Sequence, residues 1–61
     1  MQFLKAITTD GKTEYFNTDK ILTISKLANG NIKILMGAGL YYNVLPESMQ
    51  LINNILEDIK Q

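Results

Sequence analysis

The sequence predicts an α+β domain in which an antiparallel sheet of four or five short strands, built as two hairpins with the option of curling into a small barrel, precedes one C-terminal amphipathic helix. Three observations carry that expectation. Asp10-Gly11 and Asn29-Gly30 are turn pairs flanked by strand-like sequence. The segments between the turns are rich in Ile, Thr, Tyr, Phe and Val, as pleated surfaces prefer. After Pro46 the apolar residues change to a spacing of three and four.

The strands are expected at Gln2 to Thr9, Thr13 to Asn17, Ile21 to Leu27, Ile32 to Met36 and Leu40 to Leu45. Both glycine pairs suit type I′ hairpin loops, whose two central residues need positive φ. Asn17-Thr18-Asp19 separates the second and third segments, because Asn and Asp side chains bond backbone two residues on. Gly37-Ala38-Gly39 breaks the fourth from the fifth. Alternation places Ile32, Ile34 and Met36 on one face and Leu40, Tyr42 and Val44 on one face. The opposite faces are not cleanly polar, since Leu35 sits beside Lys33 and Tyr41 and Leu45 flank Asn43.

Pro46 suits a first helical position, with Glu47 in the turn where negative charge favours the dipole. At helical spacing Met49, Leu51, Ile52, Ile55, Leu56 and Ile59 fall in an arc of roughly 160°, and Gln50, Asn53, Asn54, Glu57, Asp58, Lys60 and Gln61 take the other side. One sheet needs less than that arc. The surplus flank, Leu51 and Ile55, is a candidate contact surface, and the Tyr41 and Leu45 face of the last strand is the other.

A single domain, residues 1–61, is all that this length supports, and a chain so short buries only about 60% of the surface its unfolded form exposes. Small scaffolds offset that with disulfides, a metal or oligomerisation. With no Cys and no His, thiolate and imidazole metal sites are excluded, no cofactor is expected, and self-association, with a dimer favoured, is the expected staple. Six Lys balance six acids, and there is no Arg to grip phosphate or guanine with two parallel hydrogen bonds. The Ile, Asn and Lys bias fits an AT-rich bacterial or phage genome. The longest apolar run, Ile34 to Tyr42, falls far short of the roughly 20 residues that span a bilayer. The start Met1-Gln2-Phe3-Leu4-Lys5 has no secretory order. A cytoplasmic setting, or the host cytoplasm for a phage product, and no membrane partner are therefore expected.

No residue set has the make-up of an active site. Asp10, Asp19 and Glu47 lie at turns or the expected helix start, where carboxylates cap backbone, and Glu57-Asp58 reads as a solvated edge. Gly37-Ala38-Gly39 precedes a strand, whereas phosphate-cradling loops open a helix. The chain is expected not to be an enzyme but an interaction or regulatory module with a protein or small-molecule partner. An alternative is a sheet that binds single-stranded nucleic acid, with bases stacking on aromatics beside Lys; its candidate residues are Lys5, Tyr15, Lys26, Lys33 and Tyr41. A third alternative is a phage-encoded inhibitor of a host factor, or a sequesterer of a nucleotide messenger.

Gly11-Lys12, Tyr15-Phe16-Asn17-x-Asp19-x-Ile21-x-x-Ile24, Asn29-Gly30, Ile34, Tyr42-x-Val44 and Glu47-Ser48 before an Ile-rich segment together resemble the FlbD-like family of small flagellar and swarming-motility proteins. The resemblance implies a non-enzymatic regulatory adaptor that acts through protein contacts, on a fold of hairpins and a helix.

Overall fold

The computed structural model describes residues 2–59. Six strands, β1 (Phe3–Ile7), β2 (Thr13–Asn17), β3 (Thr23–Lys26), β4 (Ile32–Gly37), β5 (Leu40–Val44) and β6 (Gln50–Ile52), are followed by one helical turn and a half, α1 (Ile55–Ile59). The coarse α+β class holds. In place of one sheet of four or five strands, or a barrel, there are two antiparallel sheets of three, ordered β2-β1-β6 and β3-β4-β5. They touch at one corner, where Thr8 bridges Val44, the Thr9 amide donates to the Asn43 carbonyl at 3.0 Å and the Leu45 amide donates to the Ile7 carbonyl at 2.9 Å.

The first five strands sit where the composition put them: β1, β3 and β5 are shorter at their ends, β2 has the expected bounds and β4 runs one residue further, to Gly37. Both glycine pairs do close hairpins, but not as type I′ loops. Gly11 and Gly30 have φ of 91° and 92°, while no non-glycine residue has positive φ. In each loop the glycine amide donates to the residue three back, Thr8 at 2.9 Å and Leu27 at 3.0 Å, and the residue at that position bonds the carbonyl beyond the glycine, Lys12 or Asn31, at 2.8 Å. This is a three-residue loop, a type I turn followed by one left-handed glycine. Asn17 accepts from the Asp19 amide at 3.0 Å and caps a single 3₁₀ turn, Thr18–Lys20.

The expected long helix from Pro46 is overturned. Pro46–Ser48 makes one 3₁₀ turn and the chain returns to extended backbone at Met49, φ −70° and ψ 131°. Gln50, Leu51 and Ile52 then pair with Lys5, Leu4 and Phe3. The reason is β1: without β6 its second edge would leave N–H and C=O groups unpaired beside the core, a cost that outweighs the helical spacing of a few aliphatics. Asn54 is the true helix start. Its Oδ1 accepts from the Leu56 amide at 3.0 Å and the Glu57 amide at 3.4 Å, the role for which Asn is favoured at N-caps. Leu56 and Ile59, expected on a buried arc, are 68% and 60% exposed. Lys60 and Gln61, expected on its polar side, lie outside the described residues. No helix among the described residues is long and apolar enough to cross a membrane.

The sheets face each other across a small core. Leu4, Ala6 and Phe16 come from the first, Ile34 and Val44 from the second, with Ile21, Ile32, Met36, Tyr42 and Met49 packed around them. The Phe16 and Tyr42 rings meet edge to face at 5.1 Å. The expected alternation of β4 and β5 holds for Ile32, Ile34, Met36, Tyr42 and Val44. Leu40, at the bulged end beside Gly37, stays 54% exposed. Where β5 gives way to β6, the Ser48 hydroxyl accepts from the Ile7 amide at 2.9 Å and donates to the Leu45 carbonyl at 2.7 Å. A side chain thus supplies the rung that the 3₁₀ turn removes from the ladder of β1.

Two stability measurements check this description. Gly30→Val lowers stability by about 1–3 kcal/mol through backbone strain alone, because a Cβ there meets no atom within 4 Å; Gly37→Ala, at ordinary φ and equally open, leaves the denaturant midpoint nearly unchanged. Ser48→Ala lowers stability by about 1 kcal/mol, the usual net worth of one hydrogen bond.

Candidate interaction surface

Leu22 and Ile24 project from β3 and the residue before it, and the alternation of a strand puts them on the side that carries Ile34 in β4, to which Ile24 is paired. On the other sheet Leu51 lies beside Leu4, on the side that carries the core. All three point between the sheets, yet they are 63%, 50% and 60% exposed. The sheets meet at the corner of Thr8 and Val44 and do not meet at this one. The result is an open groove of about 550 Å³, walled by Leu22, Ile24 and Leu51 and floored by Leu4, Ile21 and Met49. Along its sides run two strands, β3 and β6, each with a single hydrogen-bonded neighbour.

Of the expected contact residues, Leu51 therefore belongs to this groove, although as part of β6. Ile55 opens α1 and is half-buried, so the helical flank that would have joined the two does not form. Tyr41 is 52% exposed on the outer face of the second sheet. Leu45, half-buried, precedes the second 3₁₀ turn. Met49 is expected on the helical arc, and Leu22 and Ile24 are not among the expected contact residues. Their signal was present: Ile21, Leu22 and Ile24 make the third segment apolar on successive residues, which a strand with one solvated face does not need.

The residues of the nucleic-acid alternative are distributed over separate faces. Lys5 and Tyr15, opposite each other in β1 and β2, lie on the outer face of the first sheet. Lys33 and Tyr41 lie on the outer face of the second, with the Lys33 ammonium 4.7 Å from the centre of the Tyr41 ring. Lys26 ends β3. One face of Tyr41 is thus already covered by this chain's own cation.

Asp58, expected to be solvated, instead joins Lys5 and Tyr15. Its Oδ2 lies 2.9 Å from the Lys5 Nζ and accepts from the Tyr15 hydroxyl at 2.5 Å. The hydrogen bond from Tyr15, then that from Lys5, holds the Asp58 carboxyl below the usual aspartate range. The same hydrogen bond to Asp58 raises both Lys5 and Tyr15 above their ordinary values. This cluster fastens α1 over the outer face of β1 and β2. A similar small network braces the first hairpin, where Thr8 is buried, donates to the Asp10 carboxylate and accepts from the Lys12 amide at 3.1 Å; the bond from Thr8 lowers the Asp10 pKa.

Among the described residues no three His, Cys, Asp or Glu side chains gather as metal ligands, and every buried side-chain polar atom has a partner. Comparison of the chain with protein-family models, with curated protein sequences and with solved structures finds no match.

The Asp58 cluster gives a pH dependence of definite sign. A carboxyl with a lowered pKa stabilises the fold above its unfolded value, about 3.9, and that contribution is lost as pH falls through the lower folded value. Raised Lys5 and Tyr15 values contribute below about 10, and their contribution is lost as pH rises through the folded ones. Asp58→Asn is thus expected to lower the Tm at neutral pH, with the difference from the unaltered protein shrinking as pH falls below about 3.9. Thermal melts of both from pH 2 to 7 check it.

Proposed function

We propose that this chain is a non-catalytic interaction module that works as a homo-oligomer, with the dimer as its expected state, and that copies meet at the groove between β3 and β6. One observation supports this above the others: Leu22, Ile24 and Leu51 point inward between the sheets and stand half or more exposed. Inward-facing apolar side chains of that size, bordered by two unpaired strand edges, form the kind of patch that isolated chains seldom leave in water. The fully buried core adds weight. It holds five apolar residues, one of them alanine, with no disulfide to restrain the unfolded chain, so association supplies the stability that so small a core lacks.

A regulatory role would then follow from the assembled surface, which would bind a protein or small-molecule partner as a unit. The FlbD-like resemblance points to the same kind of adaptor. Burial on association makes the folded state depend on protein concentration. The Tm is expected to rise over a hundredfold increase in concentration, and light scattering to give twice the chain mass. Leu51→Gln, at a position already open to water in the single chain, is expected to abolish both effects. A chain-sized mass with a Tm independent of concentration rejects the proposal.

A further inference from the structure

Resting on that reading, we propose how the copies join: β3 pairs edge to edge with β3 of a second copy, antiparallel about a two-fold axis through Ile24, making one six-stranded sheet ordered β5-β4-β3-β3-β4-β5.

The edges of the molecule are not equivalent. β5 is engaged beyond its hairpin through the bridge of Val44 to Thr8. β6 is only three residues long. β2 carries Glu14 as the second of its five residues, and Tyr15, the middle one, is tied to Asp58. β3 is exposed along its whole length, pairs on one side only, and carries Leu22 and Ile24 into the groove. Its backbone donors and acceptors on the free side are a template for another strand.

Register follows from faces and charge. Opposed residues of an antiparallel pair share a face, so a two-fold axis through a residue joins the two grooves on one side of the sheet, and an axis between residues sets Leu22 and Ile24 of each copy against the outer-face Thr23 and Ser25 of the other. Three axes on residues are available. One through Thr23 shortens the pairing, because Lys26 then faces Lys20, which ends the first 3₁₀ turn and carries the same charge. One through Ser25 shortens the pairing, because Leu22 then faces Ala28 in the hairpin loop. An axis through Ile24 uses all of β3 and the Leu22 carbonyl, the Leu22 amide being already given to the Leu35 carbonyl at 2.8 Å. It sets Ile24 against Ile24, Thr23 against Ser25, and Leu22 against Lys26, whose aliphatic stem can lie over the leucine while its ammonium reaches water.

A stable dimer buries about 800 Å² on each partner, roughly a fifth of this chain's 4320 Å². Five paired residues alone fall short of that. The remainder has to come from the adjoining groove, with Leu51 and Met49, which lies on the same side of the molecule.

The absence of cysteine makes the test direct. Cα atoms of opposed antiparallel residues lie about 4.5–5.5 Å apart, within disulfide reach. Under mild oxidation Ile24→Cys is expected to give a covalent dimer, and Thr23→Cys mixed with Ser25→Cys a covalent heterodimer, while Leu40→Cys, exposed on β5, stays monomeric on a non-reducing gel. Ile24→Lys is expected to shift the scattering mass from dimer to monomer with an unchanged circular dichroism spectrum. A dimeric mass in which Ile24→Cys cross-links no better than Leu40→Cys overturns this edge and register and leaves the homo-oligomer standing. A monomeric mass for the unaltered protein overturns both.

Discussion

The fold depends on the need of β1 to have both its edges paired. It runs through the middle of the first sheet and supplies Leu4 and Ala6 to the core, where an unpaired amide or carbonyl costs more than a weak propensity can offset. β2 covers one edge by a local hairpin. The other edge is covered in two pieces, by β6 near its start and by the end of β5 beyond its finish, with the Ser48 hydroxyl inserted between them. The division of the molecule into two sheets, the 3₁₀ turn at Pro46 and the position of α1 all follow from that coverage.

Serving β1 at one corner leaves the other corner open. β5 is drawn towards Thr8, and β3, at the far side of its sheet, has nothing to close against. The groove is therefore the counterpart of the corner that did close, and its apolar lining is core-facing sequence without a facing layer. α1 does not fill it, since Asp58 holds the helix on the outer face of the first sheet.

Hairpins were legible because their signals are local. Asp10-Gly11 and Asn29-Gly30 mark their loops by chemistry that acts within five residues, although the same pairs serve two turn geometries and only the φ of Asp10 or Asn29 tells them apart. The alternation through Ile32, Ile34, Tyr42 and Val44 was equally readable. The segment after Pro46 was not, because Met49, Leu51, Ile52 and Ile55 satisfy helical spacing while Gln50 to Ile52 also satisfies a short strand, and the deciding partner lies at the other end of the chain. Asn53-Asn54 was the local clue against a continuous helix. Along the groove, Leu51 is apolar at helical spacing yet stands there as a strand residue, and the exposure of Leu22 and Ile24 depends on which layers meet. Asp58 reads as solvated for a similar cause: Lys5 and Tyr15 are brought to it only by the return of the chain.

The pairing of Leu4 with Leu51 also bears on the order of events during folding. The three hairpins close over a few residues each and can form in microseconds, whereas β6 must be recruited across nearly the whole chain, with the largest loop-closure entropy of any strand pairing in the molecule. β6 and the short helix behind it are thus expected to dock late and, by the same token, to open first, giving their amides the weakest protection against hydrogen exchange. The groove loses its Leu51 wall in each such opening. The lifetime of the groove is therefore set by a strand of three residues at the far end of the sequence, and less by the hairpins that make up most of the fold.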